Sequence, residues 1–135
     1  DEVLAPILQC LPILEKLVVS NCQNMSLNNV FEALASCSLL HALDISHPAR
    51  NSSYRGIQRL IGLTELRARG AIDKYSLSSL AMLTALRVLD LSDNAAVTDN
   101  SLTMLSSLSS LCELNLARDE NITSQGLSAV LAANT

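Results

Sequence analysis

Aromatic residues are almost missing from this chain: 135 residues include no Trp, one Phe (Phe31) and two Tyr (Tyr54 and Tyr75). Stacking on nucleic-acid bases and aromatic cages for cations therefore have little to build on. No apolar run approaches the roughly 18 residues that cross a bilayer. The opening DEVLAPILQC shows no basic region and no cleavage site, so no signal peptide is visible. The motifs GxSxG, GxGxxG, HExxH and the phosphate-binding GxxxxGK are all absent. Only two histidines occur, His41 and His47, at the two ends of one expected strand. The neighbouring carboxylates Asp119 and Glu120 sit in a turn beside Arg118, where acid-base chemistry lacks a cleft. Cys10, Cys22, Cys37 and Cys112 form no CxxC pair, and their intervals do not suit a zinc ribbon. No enzymatic activity, cofactor or metal is expected.

What the chain does have is aliphatic side chains at a fixed spacing. In LTALRVLDLSDN, Leu83, Leu86, Leu89 and Leu91 follow one another by three, three and two, and Asn94 comes three later. A step of two alternates faces along a strand, whereas a step of three belongs to a helix or tight turn, so a short strand is entered at Leu89. The template returns four times: Leu11, Leu14, Leu17, Val19, Cys22; Cys37, Leu40, Leu43, Ile45, Pro48; Leu60, Leu63, Leu66, Ala68, Ala71; and Leu108, Leu111, Leu114, Leu116, Asp119. Successive copies start 26, 23, 23 and 25 residues apart. A period of about 20 to 29 residues with this spacing is the leucine-rich repeat signature. The expected fold is one α/β solenoid domain over residues 1–135, a right-handed superhelix with about five parallel strands on the concave face and short helices on the convex face. Residues 1–10 read as the tail of a preceding repeat's helix. Neither end reads as the polar cap of a solenoid, so the chain is expected to be an excerpt of a longer array, or to stack against a neighbour at its open ends.

Each repeat offers a capping residue before its helix: Ser26, Ser52 or Ser53, Asp73, Thr98 and Thr123. The second repeat departs from the pattern with HPARNSSYRG, and Arg55 and Arg59 are expected to share one face of its helix. The third helix, near Tyr75 to Met82, is expected to be one or two turns, and the fourth about nine residues.

The segments LEKLVVSNCQNMS, LRVLDLSDNAAVTDNSL and LCELNLARDENITSQGL resemble the cysteine-containing class of leucine-rich repeats, best known from substrate receptors of F-box ubiquitin ligases and related to ribonuclease-inhibitor-like repeats. The resemblance spans residues 4 to 131. It implies an Asn or Cys that hydrogen-bonds turn backbone from inside, a role that falls to Cys22, Asn94 and, in part, Asp119; Pro48 and Ala71 break that ladder. No F-box sequence is present, and the motif identifies the fold, not the partner.

With the strand leucines inward, alternate residues face out on the concave sheet. The middle column reads Val18, Asp44, Arg67, Asp90 and Asn115, which predicts an Asp44, Arg67, Asp90 ion-pair ladder between strands about 4.8 Å apart. Arg69, between Ser46 and Ser92, has no carboxylate in its column and is expected to reach outward. The net charge of −4 is uneven: Arg50, Arg55, Arg59, Arg67, Arg69 and Lys74 against Glu65 and Asp73 leave a local +4. The expected function is non-catalytic recognition of a protein partner through Lys16, Glu65, Arg67, Arg69, Asp90, Glu113 and Asn115. The alternatives are an architectural subunit held by its ends and convex helices, and RNA contact through the Arg50 to Lys74 cluster, although nucleic acid generally needs a dominant basic face. Cys37 in a leucine slot reads as a small buried hydrophobe, and the four cysteines together read as reduced thiols of an intracellular protein, with a disulfide pair as the alternative. The glycosylation sequons at Asn24 and Asn121 arise from the repeat itself; a third lies at Asn51.

Overall fold

A computed structural model describes residues 4–48, 52–70, 72–73 and 75–133. After the short helix α1 (Leu4–Gln9), five units follow, each a three-residue strand and a convex segment: β1 (Lys16–Val18) and α2 (Leu27–Leu34), then β2 (Ala42–Asp44) and a 3-10 turn (Ile57–Arg59). β3 (Glu65–Arg67) and α3 (Ser76–Leu80) come next, followed by β4 (Val88–Asp90) and α4 (Asp99–Leu102), which continues as a 3-10 turn (Thr103–Ser107). The last unit is β5 (Glu113–Asn115) and α5 (Ser124–Ala133). All strands are parallel and ordered β1-β2-β3-β4-β5, and the register places Leu17, Leu43, Leu66, Leu89 and Leu114 in one row. The strand leucine thus recurs at one register position because the repeats stack without a slip.

Burial is deepest in the middle. Leu43, Leu66 and Leu89 are fully buried, while Leu17 and Leu114, on the edge strands, are only partly covered. Leu14, Val19, Leu111 and Leu116 are likewise only partly covered, while Leu108 of the last repeat is fully buried; a solenoid repeat is covered by its neighbours.

A backbone feature recurs ten residues into every repeat: Asn21 (φ 61°), His47 (52°), Gly70 (61°), Asp93 (62°) and Arg118 (64°) are all left-handed. The N–H of each of the first four donates to a carbonyl of the next repeat, on Ser46, Arg69, Ser92 and Ala117 respectively, at 2.7–3.1 Å. The left-handed residue therefore closes the strand ladder and turns the chain toward the convex side. Asn, Asp and His are the side chains found most often in this region after glycine, and Arg118 holds it against a steric cost.

The convex side corrects one expectation. Arg55 and Arg59 do not share a helix face, because Gly56 is left-handed (φ 98°) and only the single 3-10 turn follows. Phe31 and Tyr54 fill the space there, with ring centroids 6.0 Å apart. Tyr54 is buried, and its hydroxyl finds no hydrogen-bond partner among the described residues. Burial, assisted by the Asp73 charge, pushes its phenol well above the usual range. A desolvated hydroxyl that bonds to nothing costs stability. Tyr54→Phe is accordingly expected to stabilise the fold by about 1 kcal/mol, read as a shift of the urea midpoint; a lower midpoint would mean that the hydroxyl has a partner.

The capping residues act in several ways. Thr98 and Ser101 form a reciprocal capping box on α4, and Asp73 accepts from the N–H groups of Tyr75 and Ser76 before α3 at 2.7 and 2.9 Å. Ser53 accepts from Arg55 N–H at 3.2 Å, and Thr123 from Gln125 N–H at 3.2 Å.

Candidate partner-binding face

The concave face is made by the strand residues that alternate with the leucine row. Lys16, Arg67 and Glu113 are exposed on it, and Glu65, Arg69, Asp90 and Asn115 are half-buried. Asp44, Arg67, Asp90 and Asn115 do stand in register across four strands. The expected Asp44, Arg67, Asp90 ion-pair ladder does not form. Arg67 pairs instead with Glu65 on its own strand, Nη2 to Oε1 2.9 Å. The column carboxylates are otherwise engaged: Asp44 Oδ1 accepts from Ser46 N–H, and Asp90 Oδ1 from both Ser92 N–H and the Ser92 hydroxyl (3.0, 3.0 and 2.6 Å). Asn115 Oδ1 does the same for Ala117 N–H at 3.1 Å. Three repeats thus spend this position on an Asx turn that holds the strand exit, a local bond that wins over a cross-strand pair between mobile, solvated side chains.

Arg69 also departs from expectation. Its Nη2 meets Asp93 Oδ2 at 3.0 Å, and Arg118 Nη1 meets Asp93 Oδ1 at 3.4 Å. The partner missing from its own column comes from the left-handed turn of the next repeat. The Arg69 hydrogen bond, with help from Arg118, holds the Asp93 carboxyl below the usual range. Arg69 remains 43% exposed through its side chain. The result is a guanidinium held in place at the strand-exit rim, still open to a partner.

Beneath the rim, Asn94 ties neighbouring repeats together. Its Nδ2 donates to Ala68 O at 3.0 Å and to Leu91 O, and its Oδ1 accepts from Ile72 N–H at 2.8 Å. Asp119 holds the corresponding place one repeat on, where Oδ1 accepts from Asn94 N–H at 2.6 Å. Its Oδ2 is buried without a partner, and desolvation, aided by the charges of Asp93 and Asp90, pushes the carboxyl up to about 6. Cys22 does not take part in the ladder: it is exposed, and among the described residues its thiol faces the carbonyl of Ser20, two residues away, at 3.8 Å, and not the backbone of a neighbouring repeat. Cys37 is buried in its leucine slot, its thiol facing Leu8 O and Leu11 O, each at 3.7 Å.

Two contributors went unread in the sequence. Asp93 carries the arginine pair but sits at a turn position shared by five different residue types, so no residue pattern points to it. Asp99 joins the last two repeats: its carboxylate accepts from Thr123 N–H at 2.7 Å and from the Thr123 hydroxyl, which lowers its pKa. A Cβ on Gly126 would come within 2.8 Å of Asp99 Cα, so the glycine of the GL pair keeps this contact open. The TD followed by GL in the sequence is the trace of this staple.

Of the basic cluster, Arg67 and Arg69 face the concave side, while Arg55 and Arg59 lie with the convex segments. Arg50, Lys74 and Ala71 lie outside the described residues. Among the described residues no helix is long and apolar enough to cross a membrane, and no three His, Cys, Asp or Glu side chains are grouped to hold a metal ion.

No protein-family model and no curated protein matches the chain. Solved structures do. A tropomodulin C-terminal domain from Caenorhabditis elegans superposes with a TM-score of 0.69 at 11% identity, covering 96% of this chain and 90% of that domain. An internalin from Listeria monocytogenes superposes with a TM-score of 0.65 at 20% identity, over 93% of this chain and 35% of that one. A leucine-rich repeat protein from Leptospira interrogans gives 0.52 at 16% identity, over 91% and 39%. The chain therefore spans little more than a third of the length of the two bacterial proteins. Five parallel strands in one register, short convex segments and these likenesses together establish the architecture: the chain folds as a leucine-rich repeat α/β solenoid.

Proposed function

We propose that this chain is a non-catalytic recognition module that offers its concave strand face and strand-exit rim to a protein partner. The observation that carries the reading is Arg69, held by Asp93 yet open on its outer side. A charge already fixed in place loses little ordering entropy when it meets a carboxylate on a partner. Lys16, Glu65, Arg67, Arg69 and Glu113 supply the contacts, and Arg118 joins them at the rim. Asp90 and Asn115 contribute chiefly by holding the strand exits. The repeats belong, in this reading, to the cysteine-containing class, and the single 1–135 domain works inside the cell, a setting that suits four free thiols.

The test is a crosslinking pull-down to obtain the partner, followed by affinity measurements on charge reversals. Arg69→Glu is expected to weaken binding at least tenfold, about 1.4 kcal/mol, while Arg55→Glu and Arg59→Glu leave this interaction unchanged. The opposite pattern rejects the concave face. A second reading, an architectural subunit stacked at its ends, draws on the partly exposed Leu17 and Leu114 and the exposed Leu127 and Leu131. It is favoured if Leu131→Asp abolishes assembly and Arg69→Glu does not. RNA contact has the least behind it, since the described arginines divide between two faces.

A further inference from the structure

On the edge opposite the Asp93 rim, the four consecutive turns that lead into β1, β2, β3 and β4 each carry one large exposed apolar side chain, two residues past the repeat start in the first two turns, one past it in the third and one before it in the fourth. Ile13, Leu39, Ile61 and Met82 are between 52 and 77% exposed. Single exposed aliphatics are ordinary, whereas several on adjoining turns are the kind of feature that marks an interaction site. Between the second and third of these turns a groove of about 270 Å³ opens, walled by Leu34, Leu40, Leu60 and Ile61, with Arg59 at its side.

Charge says what lies on this row. The chain as a whole is acidic, yet Arg59 and Arg87 flank the row, Arg59 from the convex segment before Ile61 and Arg87 from the residue before β4. Both are exposed, and neither makes an ion pair among the described residues. Glu15, exposed beside Ile13, puts the opposite sign at the far end. The occupant therefore needs an apolar stripe with carboxylates near repeats three and four. Adjacent strands advance by about 4.8 Å, and one turn of an α-helix advances by about 5.4 Å. Successive turns of a helix laid along this edge therefore meet successive turns of the solenoid.

We propose that this edge binds an acidic amphipathic helix of a protein partner. Its apolar stripe lies along Ile13, Leu39, Ile61 and Met82, one large apolar side chain enters the groove, and its carboxylates face Arg59 and Arg87. Helix-in-groove recognition works in this way, through a few buried anchors and a charged margin. This surface is separate from the concave face, and the two stand or fall independently.

The test is selection from a displayed library of helix-forming peptides of about 18 residues, long enough at 1.5 Å per residue to span the row, on the 135-residue chain. Selected peptides are expected to carry an i, i+4, i+7 apolar stripe with Glu or Asp beside it. They should slow amide exchange in turns 10–14, 36–40, 59–63 and 82–86. Ile61→Asp and Arg59→Glu should each weaken them at least tenfold, and exchanging a peptide Glu for Lys should restore binding to the Arg59→Glu protein. Arg69→Glu should leave them unaffected, which separates this result from the fate of the concave reading. A selection that yields no binders, yields basic or extended peptides, or yields peptides that protect the strands and ignore Ile61→Asp overturns the proposal. Circular dichroism of both variants guards against loss of fold, and a second pair, Leu39→Asp and Arg87→Glu, replaces either variant that does not fold.

Discussion

Replacing Asn94 with alanine is expected to destabilise the protein by about 3 kcal/mol, more than any other single polar substitution on the turn ladder. The side chain is buried and bridges repeats three and four, donating to Ala68 O and Leu91 O while accepting from Ile72 N–H. Alanine removes every one of these bonds and leaves main-chain groups buried without partners. Each such group costs about 1–3 kcal/mol, and partial relaxation or entry of water reduces the sum. Because each repeat is supported only by its neighbours, the damage falls on the junction between repeats three and four. Urea denaturation followed by circular dichroism checks it against Cys22→Ala as the control. Cys22 is exposed and ties nothing together, so its removal should move stability by less than about 0.5 kcal/mol. Equal midpoints for the two variants would show that the Asn94 bonds do not hold the turns.

Asp119→Asn is expected to act in the opposite direction, raising stability by about 2 kcal/mol at pH 7.5. Asp119 takes the ladder position one repeat after Asn94 but has no amide proton to donate, and its Oδ2 is buried without a partner. Asparagine supplies the missing donor and removes the buried charge, while its Oδ1 can still accept from Asn94 N–H. The direction with pH follows from proton binding. A carboxyl raised from 3.8 unfolded to about 6 folded binds its proton more tightly in the native state. Its protonation therefore stabilises the fold fully below about 3.8, and that contribution is lost as pH rises through about 6. The shift alone corresponds to about 3 kcal/mol; the neighbouring Asp90 and Asp93 are partly solvated, which reduces it. Wild type and variant should converge in stability near pH 4 and separate by pH 7.5. The comparison has to be a difference between the two proteins, because the lowered carboxyls of Asp93 and Asp99 lose their own stabilising contribution on acidification. A gap between the proteins that stays constant with pH would assign the effect to packing.

How much of this could be read in advance depends on which part of the residue carries the information. The leucine row was legible because each slot demands the same property, an aliphatic side chain of one size. Register came with it, and so did the columns of the concave face. The pairing inside those columns was not legible, even though Asp44, Arg67 and Asp90 are true neighbours. Asp44 and Asp90 each have a main-chain N–H two residues away, closer and better fixed than a guanidinium across the sheet. Arg69 was misread for a related reason: its carboxylate, Asp93, projects from a left-handed turn outside any strand column. The convex helix of repeat two failed where Gly56 turned left-handed and stopped the helix from starting.

Aliphatic spacing alone thus specified five stacked units, parallel strands and the inward row, since burial of that one chemical type admits a single periodic solution. Only the folded chain decided which polar groups meet, because a hydrogen bond depends on angles and competitors that a spacing does not record. The left-handed column makes the difference concrete: Asn21, His47, Gly70, Asp93 and Arg118 share no side-chain chemistry, only a backbone conformation imposed by the turn from one repeat into its convex segment.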